Sequence, residues 1–96
     1  MATYKVCLEA DVLTIGFADP GTNDIIVKDA KVALDAVNFL GGPLLKVTGP
    51  ASLPVAMLIC HYVVHKYGAI ACFDPKLGKF VVCVTHNPAY ALGDLI

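Results

Sequence analysis

The sequence predicts a small single α/β domain over residues 1–96, with a mixed sheet and one long buried helix. Apolar runs rich in β-branched residues alternate with two stretches of helical spacing, an order typical of strand–helix–strand crossovers. Two further runs, joined by a short turn, predict an antiparallel hairpin. Apolar residues make up 57% of the 96 residues. Because a domain of this size buries only roughly 60–65% of its unfolded surface, we expect the excess to close a homodimer interface.

The first half of the chain is predicted to hold two strands and one helix. Residues 4–9 and 12–17 form the strands, and the sequence ADPGTND that follows has the composition of a turn. After a short apolar run, Asp29 is expected to cap a helix. The run Gly-Gly-Pro ends that helix. Its apolar positions are Val32, Ala33, Ala36, Val37 and Leu40.

The second half is predicted to hold one strand, the long helix and the hairpin. Residues 44–48 form the strand, and residues 50–67 form a helix that is apolar nearly all round and therefore buried on more than one side. Residues 69–73 and 80–84 form the hairpin, linked by the turn DPKLGK. The chain stops at Ile96 partway into a further strand, so it is either a whole small protein or the N-terminal part of a longer one.

The charge pattern favours a small anionic ligand over a long polyanion. The formal net charge is -1, and the basic residues are seven lysines with no arginine. Proteins that bind duplex DNA carry basic stripes instead. We therefore expect no DNA partner.

The cysteines and the N-terminus predict a cytoplasmic protein with reduced thiols. Four cysteines lie inside apolar runs without any CxxC pair, which predicts buried thiols; they are Cys7, Cys60, Cys72 and Cys83. Glu9 and Asp11 stand where a signal peptide needs its apolar core. Residues 47–64 lack Asp, Glu, Lys and Arg, but their glycine, prolines and histidine favour a buried helix over a membrane span. No membrane partner is expected.

A strand that runs through a glycine into a helix N-terminus is a candidate anion site. Here Gly49, Pro50 and Ser52 connect the predicted strand to the long helix. Unpaired amides and the helix dipole both point at a ligand bound at such a place. The same turn is also an ordinary way to connect a strand to a helix, so both interpretations stay open.

The three histidines and Asp74 are the candidate catalytic residues. His61 and His65 are four residues apart, which places them on one face of a helix, although the glutamate of a metalloprotease signature is missing. Asp74 ends one hairpin strand and His86 ends the other. A site that uses both would therefore draw on two subunits. Alternatively, the two helix histidines are half-exposed surface residues, Asp74 is a turn former and His86 a strand-end cap.

Five further motifs are G-P-x-S-L-P, H-x3-H, F-D-P-K-L-G, V-V-C-V-T-H and a distal G-D, spread over residues 47–94, roughly half of the chain. Their joint pattern resembles the Csx-three family, small accessory proteins of type III CRISPR systems. The resemblance implies a CRISPR-associated Rossmann-like fold, with a ligand sandwiched between dimers in a homotetramer. It also implies manganese-dependent cleavage of cyclic tetra-adenylate, or 3′ deadenylation of short linear RNA.

The resemblance also implies roles for single residues. Asp74 matches the acidic catalytic position, His61 or His65 the helix histidine, and His86 the histidine after the hairpin. Asp74, His61 and His86 would bind manganese, which prefers carboxylate and imidazole ligands. Lys76 stands where the family usually has arginine, which affects ligand affinity because an ammonium cannot grip phosphate bidentately. Two other hypotheses stay open: a non-catalytic module that binds cyclic oligoadenylate, and a structural oligomerisation domain.

Overall fold

The computed structural model describes residues 2–96 and contains one five-stranded sheet with two helices. The sheet order is β1-β2-β3-β4-β5. Its three central strands are parallel, and both outer strands are antiparallel to their neighbours. The predicted α/β class and mixed sheet are confirmed. The elements are β1 (Tyr4–Glu9), β2 (Val12–Phe17), α1 (Asn23–Asp35), β3 (Leu45–Thr48), α2 (Leu53–Val63), β4 (Ala69–Asp74) and β5 (Lys79–Thr85).

The two helices are the crossovers between the parallel strands. α1 connects β2 to β3, and α2 connects β3 to β4. Each helix therefore starts where one parallel strand ends and finishes where the next begins. The end of the sheet at which β2, β3 and β4 finish is called the carboxyl end, and the end at which they begin is called the amino end. Because β5 is antiparallel to β4, it finishes at the amino end.

The core lies mainly between the helices and one face of the sheet. A single cluster of buried side chains joins three residues of each helix to alternate residues of β2 and β3. A smaller cluster lies on the opposite face, where Tyr90 and Ile96 pack on β4 and β5. The helical members of the main cluster are Ile26, Ala30, Leu34, Val55, Ile59 and Val63.

The end of the chain pairs with the outer side of β5. The backbone groups of Phe80 and Ile96 exchange two hydrogen bonds, of 3.0 and 2.9 Å, and Leu95 forms a bridge with Val81. This agrees with the predicted start of a strand there. β5 is therefore paired on both sides over part of its length.

The first helix begins six residues before its predicted cap. Thr22 starts it with an extended backbone, and its carbonyl oxygen accepts the N–H groups of Ile25 and Ile26. The predicted cap at Asp29 is wrong, because this residue lies inside α1. Its carboxylate instead accepts the N–H and the hydroxyl of Thr3, at 2.9 and 2.7 Å. The helix ends at Asp35, and so Leu40 lies outside it.

The second helix is shorter and less enclosed than predicted. It ends at Val63 and not at residue 67. Tyr67 leaves the helix to pair with Gly42 and is buried in the core. Leu53 and Met57 on its outer side are 75% and 66% exposed, since only α1 flanks this helix. No helix within residues 2–96 has the length and apolar character needed to cross a membrane.

The prediction of buried cysteines is wrong for three of the four. Cys7, Cys72 and Cys83 are exposed, and Cys60 is half-buried. All four are free thiols, as expected. Cys7, Cys72 and Cys83 lie on strands whose faces the two helices leave partly uncovered, whereas Cys60 lies in α2.

Candidate functional site

The topology divides the candidate residues between the two ends of the sheet. Asp74 ends β4 and Gly49 follows β3, so both lie at the carboxyl end. His86 follows β5 at the amino end, where its N–H donates to the carbonyl oxygen of Gly68 at 3.0 Å. Five steps of about 3.4 Å along β4 put the two ends about 17 Å apart. The expected separation of Asp74 from His86 along the hairpin is confirmed.

The other two histidines also lie towards the amino end. His61 is in the last turn of α2, about 12 Å along the axis from Leu53 at about 1.5 Å per residue. His65 lies in the turn after the helix. The prediction that both occupy one helix face is wrong for this reason. All three histidines of the chain are exposed.

The turn between β3 and α2 is held in place by residues of β1 and β2. Gly49 has φ +124°, and a β-carbon on it would lie 1.8 Å from the carbonyl oxygen of Ile15. The next residue, Pro50, accepts a 2.6 Å hydrogen bond from the hydroxyl of Tyr4. Burial raises the pKa of Tyr4 to about 12, so this hydroxyl stays protonated and donating. Strands β1 and β2 therefore fix the position of the candidate anion turn.

The N-termini of both helices meet at the carboxyl end. Ser52 is the N-cap residue of α2, but its hydroxyl donates to the side-chain oxygen of Asn23 at 2.7 Å and makes no cap hydrogen bond to its own helix. Asn23 is the first residue of α1. Ser52 and Asn23 both line a cleft of about 520 Å³. The positive ends of two helix dipoles thus lie beside one cleft, together with the carboxylate-bearing Asp19.

The Asp74 carboxylate shapes the hairpin turn. Its Oδ1 accepts the backbone N–H groups of Lys76 and Leu77, at 2.8 and 3.3 Å. These two hydrogen bonds orient the carboxyl group at the end of β4, so the interpretation of Asp74 as a turn former is correct for Oδ1. The side chain is half-buried, and Lys76 beside it is exposed. One carboxylate and one ammonium are therefore presented by the same turn.

The donor types fit manganese, but their positions within one chain do not. Carboxylate and imidazole are ligands that manganese accepts. Within residues 2–96, however, no three His, Cys, Asp or Glu side chains are grouped closely enough to hold a metal ion. Asp74 lies at the opposite end of the sheet from His61 and His86. A site using this set needs more than one chain.

Comparison with known families shows to which family these motifs belong. A family model described as CRISPR-associated protein (Cas_csx3) matches residues 43–96, which is more than half of the chain. The chain belongs to this family. The resemblance to the Csx-three family is thereby confirmed. No curated protein and no solved structure matches the chain.

The part matched to the Csx3 family contains every candidate site residue. It runs from residue 43 through β3, α2 and the hairpin to Ile96. The residues that brace the candidate anion turn lie in the unmatched first half of this Csx3 protein; they are Tyr4, Ile15 and Asn23.

Sequence reasoning missed one cluster of reactive side chains in the Csx3 region. Cys60, Cys72 and Cys83 line one cavity of about 260 Å³ between α2 and the sheet. The signal was partly available, because any hairpin closed by DPKLGK brings residues near 72 and 83 onto neighbouring strands. A β-bulge between Ile70 and Ala71 shifts the register at Cys83, and the sulfurs of Cys72 and Cys83 lie 3.6 Å apart.

Proposed function

We propose that this protein is a metal-dependent phosphodiesterase that cleaves cyclic tetra-adenylate and so switches off type III CRISPR signalling. The observation that carries the proposal is the placement of Asp74 and the histidines at opposite ends of one sheet, inside the part matched to the Csx3 family. A residue set divided in this way is completed by a second copy of the chain. The active site is therefore composite, with the ligand between subunits.

A cyclic ligand of four identical units suits a symmetric assembly. Symmetric oligomers present the same residues more than once around the symmetry axis, so each phosphate of the ring can meet an equivalent group. The positive groups at the carboxyl end of each chain include Lys76, Lys79 and the N-termini of both helices. The exposed Leu53 and Met57 on α2 provide apolar surface for a subunit contact.

The chain's own side chains supply the proton chemistry. A neutral histidine accepts the proton of a ribose 2′-hydroxyl, whose oxygen attacks the adjacent phosphorus. The 5′-oxygen leaves and takes a proton, which opens the ring and leaves a 2′,3′-cyclic phosphate. Asp74 is positioned by its turn to bind a cation or to orient the reacting phosphate. Manganese, when bound, neutralises charge on the phosphate.

The first test is incubation with cyclic tetra-adenylate, in manganese or in chelator, with chromatography of the products. Linear di- or tetra-adenylates are expected only with manganese. Asp74→Asn should lose most of this activity while still binding the ligand. Glu9→Gln removes an exposed charge outside the matched region and should keep the activity. An unchanged rate in Asp74→Asn would refute the role of this residue.

A second test addresses the composite site. Asp74→Asn and His86→Gln chains with different tags are co-expressed, and the mixed oligomer is purified. If one site takes residues from two chains, one of the two sites in a mixed C2 dimer is intact, and about half of the wild-type activity returns. A mixed oligomer as inactive as its parents would show that the residues act within one chain.

The absence of a three-ligand metal group within residues 2–96 also favours a second candidate, a non-catalytic module that binds cyclic oligoadenylate. In that case the intact ligand co-elutes with the protein, and neither manganese nor chelator changes it. A 3′ deadenylase would instead shorten linear RNA with a 3′ adenosine tail. The same chromatographic assay separates the three outcomes.

A further inference from the structure

Cys72 and Cys83 form a pair of neighbouring thiols on the hairpin. Their Sγ atoms lie 3.6 Å apart, and both residues are exposed. A disulfide bond is about 2.05 Å long, so the two sulfurs need to approach by about 1.5 Å. Movement of this size is within reach of side-chain rotation together with small strand shifts.

A β-bulge lies at this pair. Ile70 pairs with Val84 and Ala71 pairs with Val82, which leaves Cys83 as the extra residue of β5. The sulfur of Cys83 lies against Cys72, two residues after Ile70 on β4, and its thiol donates to the carbonyl oxygen of Ile70 at 3.5 Å. Bulges re-aim side chains in this way and loosen the local ladder.

The pair opens into a cavity that can admit a small reagent. The cavity of about 260 Å³ between α2 and the sheet is lined by both thiols, and the half-buried Cys60 lies on its α2 wall. Most of its other lining residues are apolar. Cys7 lies apart from this cavity on β1 and is the one exposed cysteine outside the pair.

We propose that Cys72 and Cys83 are a reactive dithiol site, which low-molecular-weight disulfides oxidise to an intramolecular disulfide. The Cys83 thiolate attacks one sulfur of the reagent RSSR, forms a Cys83–S–SR mixed disulfide and releases RS⁻. The Cys72 thiol then loses its proton, attacks Sγ of Cys83 and displaces the second RS⁻. In total two protein thiols are oxidised, RSSR is reduced to two RSH, and the proton count balances.

Cys83 is the better attacking group of the two. The hydrogen bond between the two thiols lowers the pKa of Cys83 to about 6. The thiolate and not the thiol is the nucleophile in disulfide exchange. Low-pKa, accessible cysteines beside a resolving cysteine are the ones that oxidise reversibly. The thiol chemistry does not require the proposed phosphodiesterase activity, but the two sites are neighbours, since Gly49 also lines this cavity and Cys72 lies two residues before Asp74.

The test uses glutathione disulfide as the probe and intact mass after an acid quench as the readout. The wild-type chain should lose two hydrogen atoms, and peptide mapping should link the peptides that carry Cys72 and Cys83. Cys72→Ser should stop at one glutathione adduct on Cys83. Cys83→Ser should react at roughly one tenth of the wild-type rate or more slowly still, because its attacking thiol is gone. Cys7→Ser should behave as wild type.

A second measurement avoids dependence on the folding of variants. The reduced wild-type chain is treated with limiting iodoacetamide, and the alkylation rate of each cysteine is read by mass spectrometry. Cys83 should react first. Faster alkylation of Cys7, a stable glutathione adduct without the internal disulfide, or a disulfide between chains would each overturn the proposal.

Discussion

Replacement of Gly49 by alanine should destabilise the protein more than the same replacement at a glycine that also has positive φ but lies in open surroundings. Gly49 has φ +124°, and its β-carbon would lie 1.8 Å from the carbonyl oxygen of Ile15, whereas ordinary contact begins at 3.4 Å. The obstacle is backbone of β2, which cannot rotate away like a side-chain tip. Strands β2 and β3 would have to separate at their carboxyl ends.

The magnitude follows from two terms. Backbone strain at a φ that essentially only glycine adopts costs about 1–3 kcal/mol. Separation of the strand ends weakens a few backbone hydrogen bonds at about 1 kcal/mol each. We expect a loss of about 3–5 kcal/mol, against a total stability of about 5–14 kcal/mol for a 96-residue domain.

Gly78→Ala is the matched control. Gly78 has φ +64°, and a β-carbon there would meet nothing within 4 Å, so only the backbone cost of about 1–2 kcal/mol applies. The assay is urea unfolding followed by far-UV circular dichroism at one fixed protein concentration. Equal losses in the two variants would refute the argument that Gly49 is required by the approach of Ile15.

Three further changes test other contacts. Tyr4→Phe leaves the carbonyl oxygen of Pro50 without its partner and should cost about 1–2 kcal/mol in the same urea assay. The hydrogen bonds from Thr3 lower the pKa of Asp29 below its usual 3.8. The stability that the ionised carboxylate adds to the folded protein is therefore complete above pH 3.8 and is lost as the pH falls through the lower pKa of the folded state. The melting temperature of the wild type should therefore fall more steeply below pH 3.8 than that of Asp29→Asn. Lys76→Arg should tighten binding of cyclic tetra-adenylate in calorimetry, because guanidinium binds phosphate bidentately; weaker or equal binding would contradict a contact there.

Local patterns were sufficient to predict the sheet and the separation of Asp74 from His86. The turn DPKLGK makes β4 and β5 antiparallel, so the residue that ends β4 and the residue that follows β5 lie at opposite ends of the sheet. That inference needs no knowledge of packing. It therefore holds whatever the register of the hairpin is.

The errors arose where a distant contact decided between two local options. Thr22 and Asp29 are both acceptable helix caps by residue type, and the contact of Asp29 with Thr3, 26 residues away, shows why it lies inside the helix. Likewise, α2 ends before His65 because Tyr67 is buried and paired with Gly42. The bulge at Cys83 adds one residue to a strand without any change in composition, so alternation could not reveal it.

The region of recognisable similarity is not a unit that could fold alone. Its boundary at residue 43 passes between β2 and β3, which are hydrogen-bonded neighbours in one sheet. A fragment that began there would expose Leu45 and Val47, both buried in the intact protein. The first half supports the turn at Gly49 through the carbonyl oxygen of Ile15 and through the side chains of Tyr4 and Asn23. A change in the backbone path of the first half, or in either side chain, would therefore alter the candidate anion turn in the second half.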